Sequence, residues 1–247
     1  MEVISSFQLE YTVIDSDTYP CAAIIVAAGN ATRMGGEKQF LSLRGIPVLA
    51  RTLMAFEKAS SVRDIIVVAR ENDLCDVQHL AEIYHISKLK DVVVGGAQRQ
   101  DSVSNGLKVV QPDVVYVAIH DGARPLITPE QINQVILDAG QTGAAALGVP
   151  VKDTIKQADE SGCIESTVPR DRLFAIQTPQ VFDVSVYRKA LQQAIEQKLS
   201  VTDDCMICEA AGYPVVISNG SYRNLKITTA EDVAIAEVLL CQEEQHD

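Results

Sequence analysis

Basic residues are scarce in this sequence. Lysine and arginine total 21 against 33 aspartate and glutamate residues, which gives a formal net charge of -12. An acidic protein repels polyanions, so we do not expect a long nucleic acid as a partner. A small phosphorylated ligand is still compatible, because a few cations in one cleft can reverse the local potential. We therefore expect the basic side chains to be clustered.

Long apolar runs are also missing. No segment reaches the ~18 to 20 residues needed to cross a bilayer, and residues 1–20 contain acids without a basic leader region. The six cysteines are too sparse and irregular for a secreted disulfide framework, which predicts free thiols and a cytoplasmic location. Cys205 and Cys208 form an isolated CxxC without a second ligand pair. We interpret them as small apolar core residues rather than as a metal site.

Apolar, strand-like runs alternate with amphipathic, helix-like segments along most of the chain. Examples are the buried-strand patterns CAAIIV, DIIVVAR and VVYVAIHDG, each followed by a helical pattern. Strands joined by helical crossovers pair in parallel, with helices on both faces of the sheet. The sequence therefore predicts an α/β fold with one doubly wound, mostly parallel sheet. We expect residues 21–247 to form a single domain and residues 1–20 an N-terminal extension.

The pattern changes between residues 151 and 174. This stretch is polar and irregular, with an ESG turn signal between two short strand-like runs. It predicts an inserted β-hairpin arm. Because so polar a hairpin cannot form a core of its own, we expect it to pack on a partner surface in a homodimer.

A loop rich in small residues, AAGNATRMGGEKQF, directly follows the first predicted strand. It is not a Walker A loop, because no GKS or GKT follows, and Ala31 occupies the second glycine position of the dinucleotide fingerprint. Small residues allow the backbone to approach a phosphate, and Arg33 and Lys38 supply positive charge. The loop therefore predicts triphosphate binding and argues against hydride transfer.

Asp121 ends the predicted strand VVYVAIHD. A carboxylate at a strand end can hold Mg²⁺ against nucleotide phosphates while the ion keeps several waters. A turn or capping role is the alternative. We expect the preceding His120 to be packed inside the sheet rather than to act as an acid or base.

Several separate blocks of the sequence together resemble one family. They are AAGNATRM with KQF, VVGGAQRQDSV, HDGARP, VPVKDTIK, TVPRDRLFAIQTPQVF, TDD and NLKITTAED, in this order between residues 21 and 240. This set is similar to that of the 2-C-methyl-D-erythritol 4-phosphate cytidylyltransferases. The resemblance implies a Rossmann-like nucleotidyltransferase fold, CTP as co-substrate and a divalent metal, Mg²⁺, held by Asp121.

The resemblance also implies roles for individual residues. Arg33 and Lys38 would hold the triphosphate and stabilise charge that develops on the α-phosphate during attack. Such transfer needs positioning and charge neutralisation rather than a general base, because the nucleophile is already an anion. The implied CTP-binding positions are Ala27, Ala28, Gly29, Asn30, Ala31, Thr32, Arg33, Lys38, Gly96, Arg99, Ser102 and Gly122. The sequence departs from the family at Ala97, where an acidic residue is common.

The acceptor phosphate is expected among cations and hydroxyl donors, which suit a dianion. By the same resemblance these are Arg124, Thr154, Arg170, Thr202 and Lys226. Arg170 and Lys226 would position the nucleophile, which makes them catalytic together with Arg33 and Lys38. Asp153 and Asp203 are expected to orient neighbouring groups. In similar enzymes the arm that carries Arg170 crosses to a second subunit, which again predicts a homodimer.

Two other functions remain open from sequence. A ribitol 5-phosphate cytidylyltransferase would have the same fold and much of the same loop, although HDGARP and TDD favour the methylerythritol enzyme. A non-catalytic nucleotide-binding protein would retain the pocket but lack a cation or the metal ligand. The sequence contains Arg33, Lys38, Asp121, Arg170 and Lys226, which favours an active enzyme.

Overall fold

The computed structural model describes residues 19–29 and 39–243, and within them a seven-stranded sheet forms the centre of the protein. The strand order is β11-β7-β10-β6-β1-β4-β5. Every pairing in this sheet is parallel except those of β10, which runs antiparallel to both β6 and β7. The seven strands are β1 (Cys21–Val26), β4 (Val62–Ala69), β5 (Leu89–Val94), β6 (Tyr116–Asp121), β7 (Ala144–Pro150), β10 (Phe174–Asp183) and β11 (Val216–Asn219). The prediction of a mostly parallel sheet is confirmed.

Two small antiparallel ladders complete the strands. One pairs β2 (Ser42–Leu43) with β3 (Ile46–Pro47), and the other pairs β8 (Ile155–Ala158) with β9 (Ile164–Val168). The second ladder lies inside the stretch predicted to be a hairpin arm, and Gly162 adopts a φ of 85° in its turn. Both of its strands are exposed almost throughout.

Helices cover both faces of the sheet, because the strands are apolar on both sides. In β1, Ala23 and Ile25 face one core cluster whereas Ala22 and Ile24 face the other, as expected from the two-residue period of a strand. The helices are α1 (Val48–Lys58), α2 (Leu74–Ile83), α3 (Arg99–Lys108), α4 (Pro129–Thr142), α5 (Val184–Glu196), α6 (Asp204–Ala210) and α7 (Ala230–Glu243). Helices α1, α2 and α4 pack into the first cluster, and α3, α5 and α6 into the second.

Local sequence explains where these helices begin and end. Thr128 and Gln131 form the capping box that the sequence TPEQ indicates at the start of α4, Pro129 occupies its first turn, and Gly143 ends the helix with a φ of 88°. Cys205 and Cys208 lie on α6 inside the second core cluster, so their interpretation as apolar core residues is confirmed.

Strand β10 was not predicted from the sequence. Its buried centre carries the polar side chains of Gln177, Thr178 and Gln180, which interrupt the apolar pattern typical of an internal strand. These side chains form hydrogen bonds with partners distant in sequence. For example, the Gln180 amide donates to the Asp203 carboxylate. The antiparallel strand therefore depends on tertiary hydrogen bonds that hydrophobic periodicity does not reveal.

The chain reverses its direction of winding beside β1. From β1 it moves outward to β4 and β5, and then crosses back to place β6 on the other side of β1. In open α/β sheets, ligands bind beyond the carboxyl ends of the strands at such a switch point. No helix within residues 19–29 and 39–243 combines the length and apolar character required to span a membrane.

Candidate active site

A cavity of about 490 Å³ opens at this switch point. Its walls are the segments that follow β1, β4, β5 and β6, together with Lys226 from the loop before α7. The topology thus brings together segments that are far apart in sequence, as expected for a doubly wound fold.

The loop after β1 provides one wall. Ala27, Ala28 and Gly29 line the cavity, and the N–H of Ala27 donates to the Val68 carbonyl at 2.7 Å, which holds the loop against the end of β4. Asn30, Ala31, Thr32, Arg33 and Lys38 lie outside the described residues. Their nucleotide contacts therefore stay predictions.

The turn after β5 forms the opposite wall. The N–H of Gly96 donates to Ser102 Oγ at 3.0 Å, and Ser102 Oγ donates to the Gln98 carbonyl at 3.1 Å. A Cβ at Gly95 would collide with the Cβ of Ala28, and one at Gly96 with Asp101. Glycine is needed at position 95 because the two walls approach closely, and at position 96 because the turn passes close to the first turn of α3. Ala97, the departure from the family pattern, also lines the cavity.

Asp121 is the centre of a charge cluster at the end of β6. Its carboxylate oxygens form ion pairs with the Arg99 guanidinium and the Lys226 ammonium, each at an N···O distance of 2.9 Å. The Nε of Arg124 lies 3.5 Å from the same carboxylate. Asp121 is only 7% exposed. The clustering of basic side chains predicted from the acidic composition is therefore present around this carboxylate.

Arg99 extends the cluster to a second buried carboxylate. Its guanidinium donates to Asp204 at 2.7 Å, and the Tyr187 hydroxyl donates to the other oxygen of Asp204 at 2.6 Å. The backbone N–H of Asp204 donates to Gln180. Arg99 is thus fixed between two carboxylates from opposite parts of the chain, which leaves its guanidinium little conformational freedom.

These surroundings shift the ionisation of the buried acids. Burial raises the pKa of Asp121, but the nearby charges of Arg99, Lys226 and Arg124 outweigh it and hold the pKa well below its usual range. For Asp204 burial prevails and raises the pKa, although Arg99 and Tyr187 oppose it. Asp121 is therefore ionised at neutral pH.

The donor set accommodates a divalent cation only in a limited way. No group of three or more histidine, cysteine, aspartate or glutamate side chains that could hold a metal occurs in the part of the chain that the structure describes. Asp121 supplies one carboxylate beside the cavity, and Mg²⁺ is often bound by one or two carboxylates plus substrate phosphates. The residues fit Mg²⁺ if a nucleotide supplies further oxygen ligands.

Neighbouring residues keep the end of β6 in place. The N–H of Gly122 donates to the Val26 carbonyl at 2.9 Å, and a Cβ there would approach Leu49 and Val26 at 3.2 Å. His120 is fully buried against Phe56 and its Nδ1 lies 3.1 Å from the Thr178 hydroxyl. The expectation that His120 packs inside the protein is confirmed.

The loop before α7 delivers Lys226 to the cavity. Asn224 is fully buried, and its backbone carbonyl accepts a hydrogen bond from the Arg124 guanidinium at 2.8 Å. The backbone N–H of Ile227 donates to the Ala123 carbonyl at 2.8 Å. Lys226 lies between these two anchored residues, so its ammonium can reach Asp121. Arg124 and Lys226 thus meet at the same carboxylate.

The structure does not bring the other expected acceptor residues to the cavity within one chain. Thr154, Arg170 and Thr202 are exposed and absent from its walls. Arg170 donates to the carbonyl of Lys152, at the base of the arm. Their contact with an acceptor stays a prediction.

Some residues of the site were missed in the sequence. Asp203 was expected to orient neighbouring groups. Its side chain caps α6 and accepts a hydrogen bond from the side-chain amide of Gln180. The adjacent Asp204, however, is the partner of Arg99. The TDD block was the available signal, and it did not reveal which aspartate turns inward. Gln39 and Arg70 also line the cavity. The KQF block was the only sequence signal for Gln39, and none pointed to Arg70.

Comparisons with known proteins identify the family. Residues 21–242 match the family model described as IspD: 2-C-methyl-D-erythritol 4-phosphate cytidylyltransferase. A protein of that name from Halalkalibacterium halodurans is 43% identical over 226 residues, covering 91% of this chain and 98% of that protein. Another, from Caldanaerobacter subterraneus subsp. tengcongensis, is 46% identical over 223 residues, covering 89% and 98%.

Solved structures show the same relationship. The 4-diphosphocytidyl-2C-methyl-D-erythritol synthase of Anaerococcus prevotii superposes with a TM-score of 0.81 at 30% identity, covering 91% of this chain and 99% of that chain. The 2-C-methyl-D-erythritol 4-phosphate cytidylyltransferase of Thermus thermophilus gives a TM-score of 0.71 at 30% identity, covering 88% and 97%. With the fold, the cavity and the sequence match in agreement, the chain belongs to the 2-C-methyl-D-erythritol 4-phosphate cytidylyltransferase family.

Proposed function

We propose that this protein transfers the cytidylyl group of CTP to 2-C-methyl-D-erythritol 4-phosphate, a step of the non-mevalonate isoprenoid pathway. Membership of the family makes the chain a CTP-dependent nucleotidyltransferase. In the reaction a phosphate oxygen of the acceptor attacks the α-phosphorus of CTP, the bond to the β-phosphate breaks, and pyrophosphate leaves. The observation that carries the proposal is the cavity at the sheet switch point, where Arg99, Arg124 and Lys226 surround Asp121.

The nucleotide fits between the two glycine-bearing walls. Ala27, Ala28 and Gly29 on one side and Gly96 with Ser102 on the other leave room for backbone contact with the base and ribose, beside Gly122. The triphosphate would extend toward Lys226 and toward the segment that carries Arg33 and Lys38. Cations at this end neutralise charge as it develops during transfer, which is the main contribution a protein makes to such chemistry.

Asp121 would hold Mg²⁺ together with phosphate oxygens of the nucleotide. When bound, the ion supplies additional neutralisation of the triphosphate charge. The side chain that must then turn away from Asp121 is Lys226, because it is 42% exposed and has Asp121 as its ionic partner, whereas Arg99 is 30% exposed and is also held by Asp204. Released from the carboxylate, Lys226 would bind the acceptor phosphate.

No side chain is needed to remove a proton from the acceptor phosphate, which is already an anion. His120 next to Asp121 does not serve this purpose, because it is fully buried and burial lowers the pKa of its imidazole to about 3. Arg124, Thr154, Arg170, Thr202 and Lys226 would bind the acceptor, with Arg170 and Lys226 aligning the attacking oxygen. The residues of the site therefore act by position and charge.

The arm suggests how Arg170 reaches an acceptor. It exposes apolar side chains at its strands and base, among them Ile155, Ile164 and Phe174, which a second subunit would cover. We infer that the protein is a homodimer in which the arm of one chain completes the site of the other. We also place it in the cytoplasm, since its six cysteines are all free thiols.

The reaction is tested by measuring pyrophosphate release with CTP, Mg²⁺ and either 2-C-methyl-D-erythritol 4-phosphate or ribitol 5-phosphate. We expect turnover with the first acceptor and at least about tenfold slower turnover with the second, because the pocket must reject an acceptor of different shape. Equal rates would contradict the choice of acceptor, and no release with either would contradict the activity.

The role of Lys38 is tested in the same assay. Lys38→Ala should lower kcat by about 10²-fold or more, since it removes a cation that stabilises the transition state. The matched control is Lys90→Ala on β5, which removes an exposed cation remote from the cavity walls. Unchanged turnover of Lys38→Ala would refute the proposed role.

A further inference from the structure

Two buried side chains lie behind Arg99, outside the walls of the cavity. Tyr187 of α5 is fully buried, and Asp204, the first residue of α6, is 1% exposed. The cavity walls include Arg99 but neither Tyr187 nor Asp204, although all three belong to the described residues. The pair therefore contacts the cavity through Arg99.

A chain of polar contacts connects this pair to the charge cluster. The Tyr187 hydroxyl donates to Oδ1 of Asp204 at 2.6 Å, and Oδ2 of the same carboxylate accepts from Nη2 of Arg99 at 2.7 Å. Through its other terminal nitrogen, Nη1, Arg99 donates to Oδ1 of Asp121 at 2.9 Å. The chain ends at Lys226, whose ammonium lies 2.9 Å from Oδ2 of Asp121. The contacts are thus continuous from the core to the cavity.

The inner end of this chain is anchored in the core. The ring of Tyr187 stacks on Phe182 with the ring centroids 4.8 Å apart, and both residues belong to the second core cluster. The backbone N–H of Asp204 donates to the side-chain carbonyl of Gln180 on β10 at 3.0 Å, which fixes the start of α6. The hydroxyl and the carboxylate are therefore held by the core, whereas the Arg99 side chain that they contact is 30% exposed.

We propose that Tyr187 and Asp204 are positioning residues for the transfer reaction. Asp204 engages one terminal nitrogen of Arg99 so that the other is directed at Asp121, and Tyr187 fixes the carboxylate that does so. Both act through Arg99 without touching a substrate. The inference rests on the proposed function, in which the cluster around Asp121 binds the nucleotide.

The chemistry of a guanidinium suits this link. It is planar and carries its donors in a fixed arrangement, so a contact that fixes one nitrogen also fixes the direction of the other. Without Asp204 the long Arg99 side chain could adopt other rotamers, and ordering it on binding would cost entropy. A displacement of about 1 Å at a reacting centre can cost about 10²-fold in rate. Loosening Arg99 should therefore lower kcat/KM although no group at the cavity wall is removed.

A double-mutant cycle between Tyr187 and Arg99 tests the proposal. Tyr187→Phe removes one hydroxyl from the chain and keeps the ring that stacks on Phe182. We expect it to lower kcat/KM for CTP, measured by pyrophosphate release at saturating acceptor, by about tenfold. In the Arg99→Lys background the same change should cost less than about twofold, because lysine keeps the charge but lacks the second nitrogen that links Asp204 to Asp121. A merely structural role of the hydroxyl would cost the same in both backgrounds.

A second cycle protects the test against loss of folding. Asp204→Asn keeps the shape of the side chain but removes the charge with which Arg99 pairs. We expect a larger loss of kcat/KM for CTP, about 30-fold, because the charge-assisted hydrogen bond to Arg99 itself is weakened. This loss should also shrink to less than about twofold in the Arg99→Lys background. Chemical denaturation verifies that each variant is folded at the assay temperature, and if Tyr187→Phe is not, the second cycle decides.

The matched control is Tyr116→Phe, which removes a hydroxyl from another buried tyrosine. Tyr116 is 8% exposed and begins β6, whereas Asp121 ends that strand. It therefore lies at the end of the sheet opposite to the cavity, and Tyr116→Phe should leave kcat/KM for CTP unchanged.

The outcomes separate the two proposals. Losses of equal size in the wild-type and Arg99→Lys backgrounds would overturn the positioning role and leave the proposed function intact. Full activity of both Tyr187→Phe and Asp204→Asn would do the same. If the wild-type protein released no pyrophosphate with CTP and 2-C-methyl-D-erythritol 4-phosphate, the proposed function would fail, and the inference would fail with it.

Discussion

The charge cluster around Asp121 and the hairpin arm contribute to the proposed site in opposite ways. The cluster lies at the end of a buried strand, and its aspartates and Arg99 are fixed by partners from four parts of the chain. The arm is exposed on nearly every residue, and among the described residues its two strands pair only with each other. Within the described residues, the cluster has its ionic partners in the same chain, whereas the arm presents an exposed surface.

In the proposed function the cluster binds the nucleotide and the arm contributes to acceptor binding, and the difference between the two regions fits these roles. A nucleotide triphosphate needs its cations already in place, since rearranging charges in a low-dielectric pocket is costly. The fold meets this need by building the cluster into the sheet. The arm carries Arg170 on a segment without a core of its own, so its position depends on another surface. Mutations in the cluster should therefore change both stability and turnover, whereas mutations in the arm should change only the use of the acceptor.

The largest effect is expected in the cluster. Asp121→Asn should lower kcat by about 10²- to 10³-fold and the free energy of unfolding by about 3 kcal/mol, because Arg99 and Arg124 lose the charge that compensates their burial. Pyrophosphate release and chemical denaturation measure the two quantities. Asp113→Asn, which removes an exposed carboxylate paired with Arg63, is the control and should change neither. A stable Asp121→Asn variant would show that the cluster is not structurally required.

A smaller effect, confined to one substrate, is expected in the arm. Arg170→Ala should raise KM for the acceptor by about 10- to 100-fold, the value of a hydrogen bond to a charged group, and leave KM for CTP and the unfolding free energy unchanged. The matched control is Arg172→Ala, which removes the same charge from the other end of the 3₁₀ turn Arg170–Arg172. Equal changes for both substrates would contradict the division between cluster and arm.

Mixing two variants sharpens the comparison further, provided the acceptor concentration is held well below the KM of Arg170→Ala so that each variant alone has little activity. If the arm completes the partner's site, a heterodimer of Lys38→Ala with Arg170→Ala contains one site with both defects and one with neither. Subunits exchanged at equal concentrations should then recover about a quarter of wild-type activity, because half of the dimers are mixed and each has one intact site. No recovery would mean that each arm serves its own chain.

The smallest effect concerns pH and belongs to the cluster side. Burial lowers the pKa of His120 to about 3, with Arg124 acting in the same direction and Asp121 against it. A histidine in the unfolded chain has a pKa of about 6.5, so below that pH the unfolded chain binds a proton that the folded chain does not. The contribution of neutral His120 to the free energy of unfolding is fully present above about pH 6.5. As the pH falls from there toward the pKa of His120 in the folded protein, the free energy of unfolding should decrease by about 1.4 kcal/mol per pH unit.

Denaturation in chelator between pH 7 and pH 5 measures this loss. His120→Asn should flatten the pH dependence by the equivalent of one proton, whereas His79→Asn, at an exposed position of α2, should leave it unchanged. If the free energy of unfolding of His120→Asn depended on pH as steeply as that of the wild-type protein, the proton would be bound elsewhere in the protein.

Sequence reasoning succeeded where local pattern and burial coincide. Strands such as β1 and β6 are apolar on both faces because helices cover both sides, and the Thr128 capping box is a local arrangement. It missed β10 because Gln177, Thr178 and Gln180 are polar and are satisfied only by distant partners. It also did not identify Asp204, whose inward orientation depends on Arg99 and Tyr187 from other elements.

By itself the sequence determined the fold class, the glycine-bearing walls and the family, because strand periodicity, turn chemistry and motif order are properties of neighbouring residues. Only the tertiary structure decided that Arg99, Arg124 and Lys226 meet at Asp121, and that Tyr187 and Asp204 hold Arg99 from behind the cavity wall. Such contacts join segments far apart in the chain, and their energies depend on burial and charge that exist only after the strands have packed together.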